Sequence, residues 1–367
     1  MNIMGKIKRT WIWHTLRKIK RAFVKRKIRK YDGEPLTPLV QYKIQEIIKK
    51  NKAIYLHDNE TAKNFADNWQ STLDPPSDIR FIDNAIPVVL CANNNFAPYM
   101  AVMLQSLLDN STSDKKYHFI IFERDYPSRT KEHLMNQVSK FLHCYIDFIN
   151  TKDALDRIPV SLSKSHFTID IFSRFFIPYW LNKYPKVIYC DSDMLAKADI
   201  AELYSIDIQD YCIGVSISSL INEILRSRKY SSLISVAVFS ILENWSCYIN
   251  SGVLVFDTKK FREKISLQKL FKFAIYYTNR YKKTYDDQDV LSLVINDDYF
   301  ILPNEWNYSW SSHNGGRNLF KQTEADAKII HFTGKIKPWD NLPEIANSPD
   351  ALAYKNYAKN IPLFNER

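Results

Sequence analysis

Two aspartates separated by one serine, Asp191 and Asp193, directly follow the apolar run KVIYC at residues 186–190. A continuous apolar run of this length is typical of a strand buried on both faces, so the two carboxylates are expected at the end of that strand. Carboxylates in this position can bind a hard divalent cation, and the cation can bridge a diphosphate. The pair also has a simpler explanation, because aspartates commonly form turns and cap helices.

A second polar cluster follows a short apolar run far downstream, in the sequence IIHFTGKIKPW at residues 329–339. This segment contains His331 and, after a glycine, Lys335 and Lys337. An imidazole beside two carboxylates suits Mn²⁺ better than Mg²⁺, although Mg²⁺ remains an alternative. Lysines that follow a glycine turn can neutralise phosphate oxygens. A lone histidine of this kind is more often structural, so its meaning depends on the surrounding pattern.

Two further segments carry side chains that can bind sugar hydroxyls. Asn250 precedes the apolar run of YINSGVLVFD, and Asp287 and Gln288 stand at a predicted helix start in YDDQDVL. Asn, Asp and Gln can donate to or accept from a hydroxyl group. Acidic residues are also common at helix amino termini for electrostatic reasons, so the second segment is ambiguous by itself.

The elements that must position these residues alternate between strands and helices. The predicted strands cover residues 86–92, 117–123, 143–149 and 186–191, and the predicted helices cover 99–108, 127–142 and 167–182. This alternation predicts a mostly parallel sheet with helices on both faces. In such sheets ligands bind at the carboxyl ends of the strands, where the Asn93–Asn95 turn and the aspartate pair both fall. With seven glycines in the chain, a Gly-rich phosphate loop is not expected.

The composition favours a globular protein with buried, reduced thiols. The chain has 367 residues, of which 46% are hydrophobic and 25% charged, and its five cysteines are isolated from one another. Isolated cysteines in apolar surroundings argue against a disulfide framework or a zinc site and favour a cytoplasmic location. The sequence also lacks an apolar run of the ~20 residues that a transmembrane helix requires and the apolar core of a secretory signal.

The excess positive charge lies at the amino terminus. The formal net charge is +11, while residues 1–30 contain twelve Lys and Arg and no acid, so the remainder of the chain is close to neutral. Within this basic arm, four apolar residues share one face of a predicted helix: Ile12, Leu16, Ile19 and Phe23. A basic helix with an apolar face, next to two tryptophans, is typical of a segment that lies on anionic lipid. We therefore expect peripheral attachment to the inner face of the cell membrane and no nucleic-acid partner; a solvated or RNA-binding tail is the alternative.

In order along the chain, the motifs CANNNF, FSRF, CDSDML, INSGVLVFD, DDQDVL and HFTGKIKPW resemble those of glycosyltransferase family 8, which includes bacterial lipopolysaccharide glucosyl- and galactosyltransferases. The resemblance covers residues 86–341. It implies a GT-A fold, a UDP-sugar donor, Mn²⁺, and transfer of a hexose with retention of the anomeric configuration to a glycan or lipid-linked acceptor. The predicted organisation is a basic arm (1–33), a helical linker (34–85), the GT-A domain (86–341) and a carboxyl-terminal tail (342–367).

The resemblance also implies roles for individual residues. The implied metal ligands are Asp191, Asp193 and His331. The implied donor-binding residues are Ala92, Asn93, Asn95 and Phe96 around uracil and ribose, with Phe96 stacked on the base, and Ser192, Gly334 and Lys337 near the diphosphate. The implied sugar-binding and catalytic residues are Arg174, Asn250, Asp287 and Gln288, with His166 facing the acceptor. The family usually carries Asp and Tyr where this chain has Asn93 and Phe96; Asn can still hydrogen-bond to uracil and Phe can still stack on it.

Two other function classes fit parts of the pattern. A haloacid dehalogenase-type phosphohydrolase also ends a strand with two aspartates, but it places them on its first strand, whereas here they follow the fourth predicted strand. A non-catalytic, membrane-bound adaptor on a decayed transferase fold would be expected to lack at least one metal ligand.

Overall fold

The structure is a computed structural model of the chain. It describes residues 68–69, 73–76, 79–160, 168–218, 249–280, 287–295, 298–310, 326–334, 336–340, 342–345 and 348–365. The predicted basic arm and most of the predicted helical linker, up to residue 67, lie outside the described residues.

Seven strands form the central sheet, in the order β3-β2-β1-β4-β7-β6-β8. Their bounds are β1 (Ala85–Asn93), β2 (Lys116–Arg124), β3 (Cys144–Asn150), β4 (Lys186–Cys190), β6 (Ile213–Ile217), β7 (Ile249–Asp257) and β8 (Phe300–Ile301). The strands β3, β2, β1 and β4 run parallel to one another, while β7 is antiparallel to both β4 and β6. The predicted α/β class with a mostly parallel sheet is confirmed, as are the four predicted strands.

Helices cover both faces of this sheet. They are α1 (Ala97–Asp109), α2 (Ser128–Val138), α3 (Lys152–Asp156), α4 (Ile177–Trp180), α5 (Ile200–Ser205), α6 (Thr258–Lys264), α7 (Leu267–Arg280), α8 (Asp287–Ile295), α9 (Pro349–Ala358) and α10 (Pro362–Asn365). Successive residues of β1 point to opposite layers: Val89 joins the apolar cluster that contains α7, and Leu90 joins the cluster that contains α1. A sheet buried on both faces explains why its strands read as continuous apolar runs.

The segment before β4 differs from its prediction. Instead of one helix over residues 167–182, the structure has a 3-10 helix at Ile169–Phe176 followed by the single turn of α4. Phe172 and Phe175, three residues apart, are both buried on the sheet, as the three-residue turn of a 3-10 helix allows. Pro178 has no N–H to continue a regular α-helical ladder. Arg174, near the end of this 3-10 helix, contacts Asp191 after β4 and Ser251 in β7.

A smaller sheet brings the two distant polar clusters together. It contains β5 (Met194–Ala196), β9 (Tyr308–Ser309) and β10 (Ile329–His331), in the order β5-β10-β9. β10 is antiparallel to β5, with His331 opposite Met194, and the Phe332 N–H donates to the Asp193 carbonyl at 3.0 Å. This pairing places His331 beside the residues that follow β4.

The carboxyl-terminal segment, predicted as a tail from residue 342, packs onto the domain through α9. Ala351 and Tyr354 are buried in the same apolar layer as α1, and the Ser348 side chain caps the start of α9 by accepting from the Ala351 N–H. Across the described residues, no helix combines the length and the apolar character that crossing a bilayer demands.

Candidate active site

Asp191, Asp193 and His331 form one cluster at the carboxyl end of β4. One potential ligand atom from each residue lies within 4.8 Å of the others. The His331 Nε2 is 3.6 Å from an Asp191 oxygen and 3.4 Å from an Asp193 oxygen. Two carboxylates and an imidazole are a donor set that a divalent cation can use. The three residues implied as metal ligands are therefore adjacent in space, although His331 is remote in sequence.

Asn307 fixes the orientation of His331. The His331 Nδ1 is 2.9 Å from the Asn307 Oδ1, and since this oxygen can only accept, Nδ1 carries the proton. The other ring nitrogen, Nε2, then faces the two carboxylates and is the atom that a metal ion would bind. The Asn307 amide in turn donates to the Asn250 Oδ1 at 2.8 Å. Asn307 belongs to none of the sequence motifs and was not predicted as a site residue.

Gly252 leaves the space that the His331 ring occupies. A Cβ atom at position 252 would lie 2.4 Å from the His331 Cε1 and 2.7 Å from its Nδ1. Both distances are well inside van der Waals contact, so any other residue here would displace the ring. Gly252 stands in the INSGVLVFD motif, and its signal was a glycine inside an otherwise continuous strand.

Lys337 lies against Asp193. Its Nζ is 2.6 Å from the Asp193 Oδ2 and also donates to the Phe332 carbonyl at 2.6 Å. Burial of the Asp193 carboxyl disfavours its charged form, but the Lys337 and His331 charges and hydrogen bonds outweigh burial and hold the pKa of Asp193 well below its usual range. Gly334 makes the turn between these residues with a positive φ of 91°, a conformation that favours glycine. Lys335 lies outside the described residues.

Arg174 links the aspartate pair to the predicted sugar-binding residues. Its guanidinium donates to the Asp191 Oδ1 at 3.0 Å and to the Ser251 carbonyl at 2.7 Å, and it lies 3.1 Å from the Asp287 Oδ2. Burial opposes the charge of this side chain, but Asp191 and Asp287 more than compensate and raise the pKa of Arg174 above its ordinary value. Arg174 is thus a buried, permanently charged group between two carboxylates.

Asp287 and Gln288 begin α8, as predicted, and both contact Ser251. The Ser251 hydroxyl donates to the Asp287 Oδ2 at 3.0 Å, and the Ser251 N–H donates to the Gln288 Oε1 at 3.2 Å. Asn250 was expected ahead of the strand but is the second residue of β7, because pairing with β6 extends to Ile249. These contacts bring the three predicted sugar-binding residues to the amino end of β7, beside Arg174.

The predicted nucleotide pocket lies at the end of β1. Ala92 is buried, Asn95 is exposed, and Phe96 exposes 38% of its surface. The Phe96 ring contacts Tyr99, which stacks on Trp339 of the HFTGKIKPW motif with ring centroids 3.8 Å apart. An exposed ring supported from behind is suited to stacking on a base.

Two polar side chains tie this turn to its neighbours. The Asn93 Oδ1 accepts from the Phe96 N–H at 3.2 Å, and the Asn93 amide donates to the Asp170 Oδ2 at 3.2 Å. Ser192, between the two aspartates, donates from its hydroxyl to the Cys91 carbonyl at 2.8 Å. The carboxyl ends of β1 and β4 are thereby joined. His166, predicted to face the acceptor, lies outside the described residues.

Two named relatives match this chain over 70% or more of its length. General stress protein A of Bacillus subtilis is 23% identical over 76% of this chain and 95% of its own length. A lipopolysaccharide 1,2-glucosyltransferase of Escherichia coli is 23% identical over 70% of this chain and 74% of its own length. The solved structure of the galactosyltransferase LgtC with donor and acceptor sugar analogues superposes with a TM-score of 0.59 at 19% identity, covering 76% of this chain and 96% of LgtC.

This likeness to LgtC confirms the expected GT-A fold. The profile of glycosyl transferase family 8 matches residues 87–342, nearly the range over which the motifs resemble that family. The match argues against the phosphohydrolase alternative. The sequence, the fold and the grouping of the site residues lead to one conclusion: the chain belongs to glycosyltransferase family 8.

Proposed function

We propose that this protein is a retaining, metal-dependent transferase that moves glucose or galactose from a UDP-sugar to a glycan or lipid-linked acceptor. The observation that carries the proposal is that Arg174 contacts both the candidate metal cluster and the predicted sugar-binding residues. On one side of its guanidinium lies Asp191 of the candidate metal cluster, and on the other lies Asp287 of the predicted sugar-binding set. A nucleoside diphosphate sugar requires these two sites side by side, because its diphosphate is bonded directly to the sugar.

The donor atoms of Asp191, Asp193 and His331 fit a divalent cation, and we propose Mn²⁺, with Mg²⁺ as the alternative. The Asn307 hydrogen bond supports this assignment, because it directs the basic nitrogen of His331 toward the carboxylates. When bound, the cation offsets the negative charge that develops on the departing UDP. An adaptor that had lost catalysis would not be expected to keep this complete set of ligands.

The residues of the chain hold the two halves of the donor. Phe96 supplies a stacking surface for uracil. Lys337, which has one N–H remaining after its contacts with Asp193 and Phe332, supplies a positive charge for the diphosphate. Asn250, Asp287 and Gln288 orient the sugar through its hydroxyl groups. Preorganised charges of this kind lower the barrier most when they are fixed before the reaction, and Arg174 and Lys337 are held by several contacts each.

We further propose that the acceptor attacks the anomeric carbon on the face from which UDP departs. Asp287, which bears the one carboxylate among the predicted sugar-binding residues, is engaged by Arg174 and the Ser251 hydroxyl and is therefore a poor nucleophile. In same-face attack the acceptor oxygen forms the new bond to the anomeric carbon, the bond to the diphosphate oxygen breaks, and the acceptor proton passes to that diphosphate. The anomeric configuration is then retained without a covalent enzyme intermediate.

The setting we propose is bacterial cell-surface polysaccharide synthesis, at the cytoplasmic face of the membrane. The named relatives with lipopolysaccharide substrates support the polysaccharide class. Residues 1–30, with twelve cations and an apolar helical face, support attachment to anionic lipid.

The function is tested by supplying a panel of nucleoside diphosphate hexoses with Mn²⁺ and following release of the diphosphate. We expect release from UDP-glucose or UDP-galactose, slow with water alone and faster with the correct acceptor. Proton NMR of the transferred sugar should give the same anomeric configuration as the donor. Release from GDP- or ADP-sugars in preference, or inversion at the anomeric carbon, would contradict the proposal.

A further inference from the structure

Asp170 is a buried carboxylate beside the predicted nucleotide pocket that no role described so far requires. It lies in the 3-10 helix Ile169–Phe176 and exposes 8% of its surface. Its Oδ2 accepts from the Asn93 amide at 3.2 Å, at the end of β1. Its Oδ1 is buried and has no hydrogen-bond donor among the residues that the structure describes.

A buried carboxylate oxygen without a donor is unfavourable, because it has lost its hydration and gained nothing in return. Among the described residues, no Lys, Arg or His forms an ion pair with Asp170 to compensate. Such a group is expected where a ligand supplies the missing donor. The neighbouring Asn93 and the exposed ring of Phe96 identify the nucleotide base as the part of a ligand that would come close.

We propose that Asp170 accepts a hydrogen bond from the imide N–H of the donor's uracil and thereby selects uracil over cytosine. This inference rests on the proposed UDP-sugar donor. Family members usually carry an aspartate in the turn where this chain has Asn93. Here the Asn93 oxygen already accepts from the Phe96 N–H, and its amide points at Asp170. The 3-10 helix supplies a carboxylate beside this turn, and Asn93 orients it.

The chemistry of the two pyrimidines explains the selectivity. Uracil presents a donor at its N3 position, while cytosine presents a lone pair there. A carboxylate is an acceptor only, so it accepts from the N3–H of uracil and repels the N3 lone pair of cytosine. The two oxygens of Asp170 exchange by rotation about the Cβ–Cγ bond, a soft torsion in aspartate, so either can meet the base while the other keeps Asn93.

The test is a cycle of four dissociation constants, measured by calorimetry on the full-length protein with Mn²⁺. Wild type and Asp170→Ala are each titrated with UDP and with UDP methylated at N3, which cannot donate. A hydrogen bond to a charged group corresponds to roughly tenfold or more in affinity. We expect Asp170→Ala to weaken UDP binding by about tenfold and to reduce the penalty for methylation by the same factor.

Asp170→Asn provides a second variant that keeps the side-chain shape. Its amide can donate to the N3 of cytosine, so the UDP/CDP affinity ratio should fall by about tenfold or more relative to wild type. Asp153→Ala, which removes an exposed aspartate from α3, is the matched control and should change neither ratio.

An unchanged methylation penalty in Asp170→Ala, together with an unchanged UDP/CDP ratio in Asp170→Asn, would overturn the inference while leaving the proposed donor intact. Equal weakening of UDP and its methylated form would assign Asp170 a merely structural role and would also overturn it. If wild type binds no uridine nucleotide in the presence of Mn²⁺, the proposed function itself fails and this inference fails with it.

Discussion

Gly252→Ala should disturb the candidate metal site more than it disturbs the fold. The added Cβ would lie 2.4 Å from the His331 Cε1 and 2.8 Å from the Met194 Cε. Ordinary contacts begin at 3.4 Å, so the imidazole must retreat by about 1 Å, whereas the flexible end of Met194 can turn away. Metal–ligand distances tolerate only ~0.2 Å, and losses of supporting contacts typically cost about 10- to 100-fold in metal affinity. We expect a loss of that size in Mn²⁺ affinity.

Gly214→Ala, in the neighbouring strand β6, is the matched control. Its new Cβ would meet the Leu302 Cδ2 at 3.0 Å and the Ile208 Cγ2 at 3.1 Å, both ends of flexible apolar side chains. Overpacking of this kind lowers the free energy of unfolding by about 1–3 kcal/mol in either variant. The melting temperature should therefore fall in both variants, while the Mn²⁺ concentration needed for UDP-sugar hydrolysis should rise in Gly252→Ala alone. Equal Mn²⁺ dependence in Gly252→Ala and wild type would refute the assignment of His331 as a ligand.

Three other predictions concern the metal site and the basic arm. Asp193→Ala should lower kcat/KM for UDP-sugar hydrolysis by about 100-fold or more, because it removes a charge that holds the diphosphate through the cation. The variant should not show a matching loss of thermal stability. Near wild-type turnover with Mn²⁺ would contradict the metal assignment. Asn307→Ala should weaken Mn²⁺ binding by about 10- to 100-fold in calorimetry, since His331 then loses the hydrogen bond that fixes its tautomer; unchanged affinity would remove Asn307 from the site. A variant that begins at Asp32 should hydrolyse UDP-sugar normally but no longer co-sediment with anionic vesicles. High salt should partly reproduce the loss of vesicle binding in the full chain. Undiminished vesicle binding by the variant, or a preference of the variant and the full chain for RNA, would exclude the arm as a lipid anchor.

The sequence predicts the central strands well because they are buried on both faces. β1, β2 and β4 each appear as a largely apolar run, whereas β3, at the edge of the sheet, is half-buried and has apolar residues on both sides of Asp147. The order of these strands in the chain leads directly to a parallel sheet. The helix expected over 167–182 was wrong for a tertiary reason. Its phenylalanines pack on the sheet at a spacing of three, which outweighs the helical propensity that a sequence pattern can register.

The candidate site is predictable only as far as its motifs extend. His331 could be paired with the aspartates from the order of the motifs. Asn307 could not, because its contact with His331 depends on the pairing of β9 with β10, which joins Tyr308 to Ile330. Asp170 escaped notice for a similar reason. One aspartate in an apolar segment gives no sign that its carboxylate will be buried against the turn after β1.

The most direct test of the central claim is the release of UDP from a UDP-hexose by the purified full-length protein. The account predicts release that requires Mn²⁺ or Mg²⁺, stops when EDTA is added, returns when the cation is restored, and is nearly absent in Asp193→Ala. Release that persists undiminished in EDTA, or the absence of release from any UDP-hexose with both cations and a range of glycan acceptors, would contradict it.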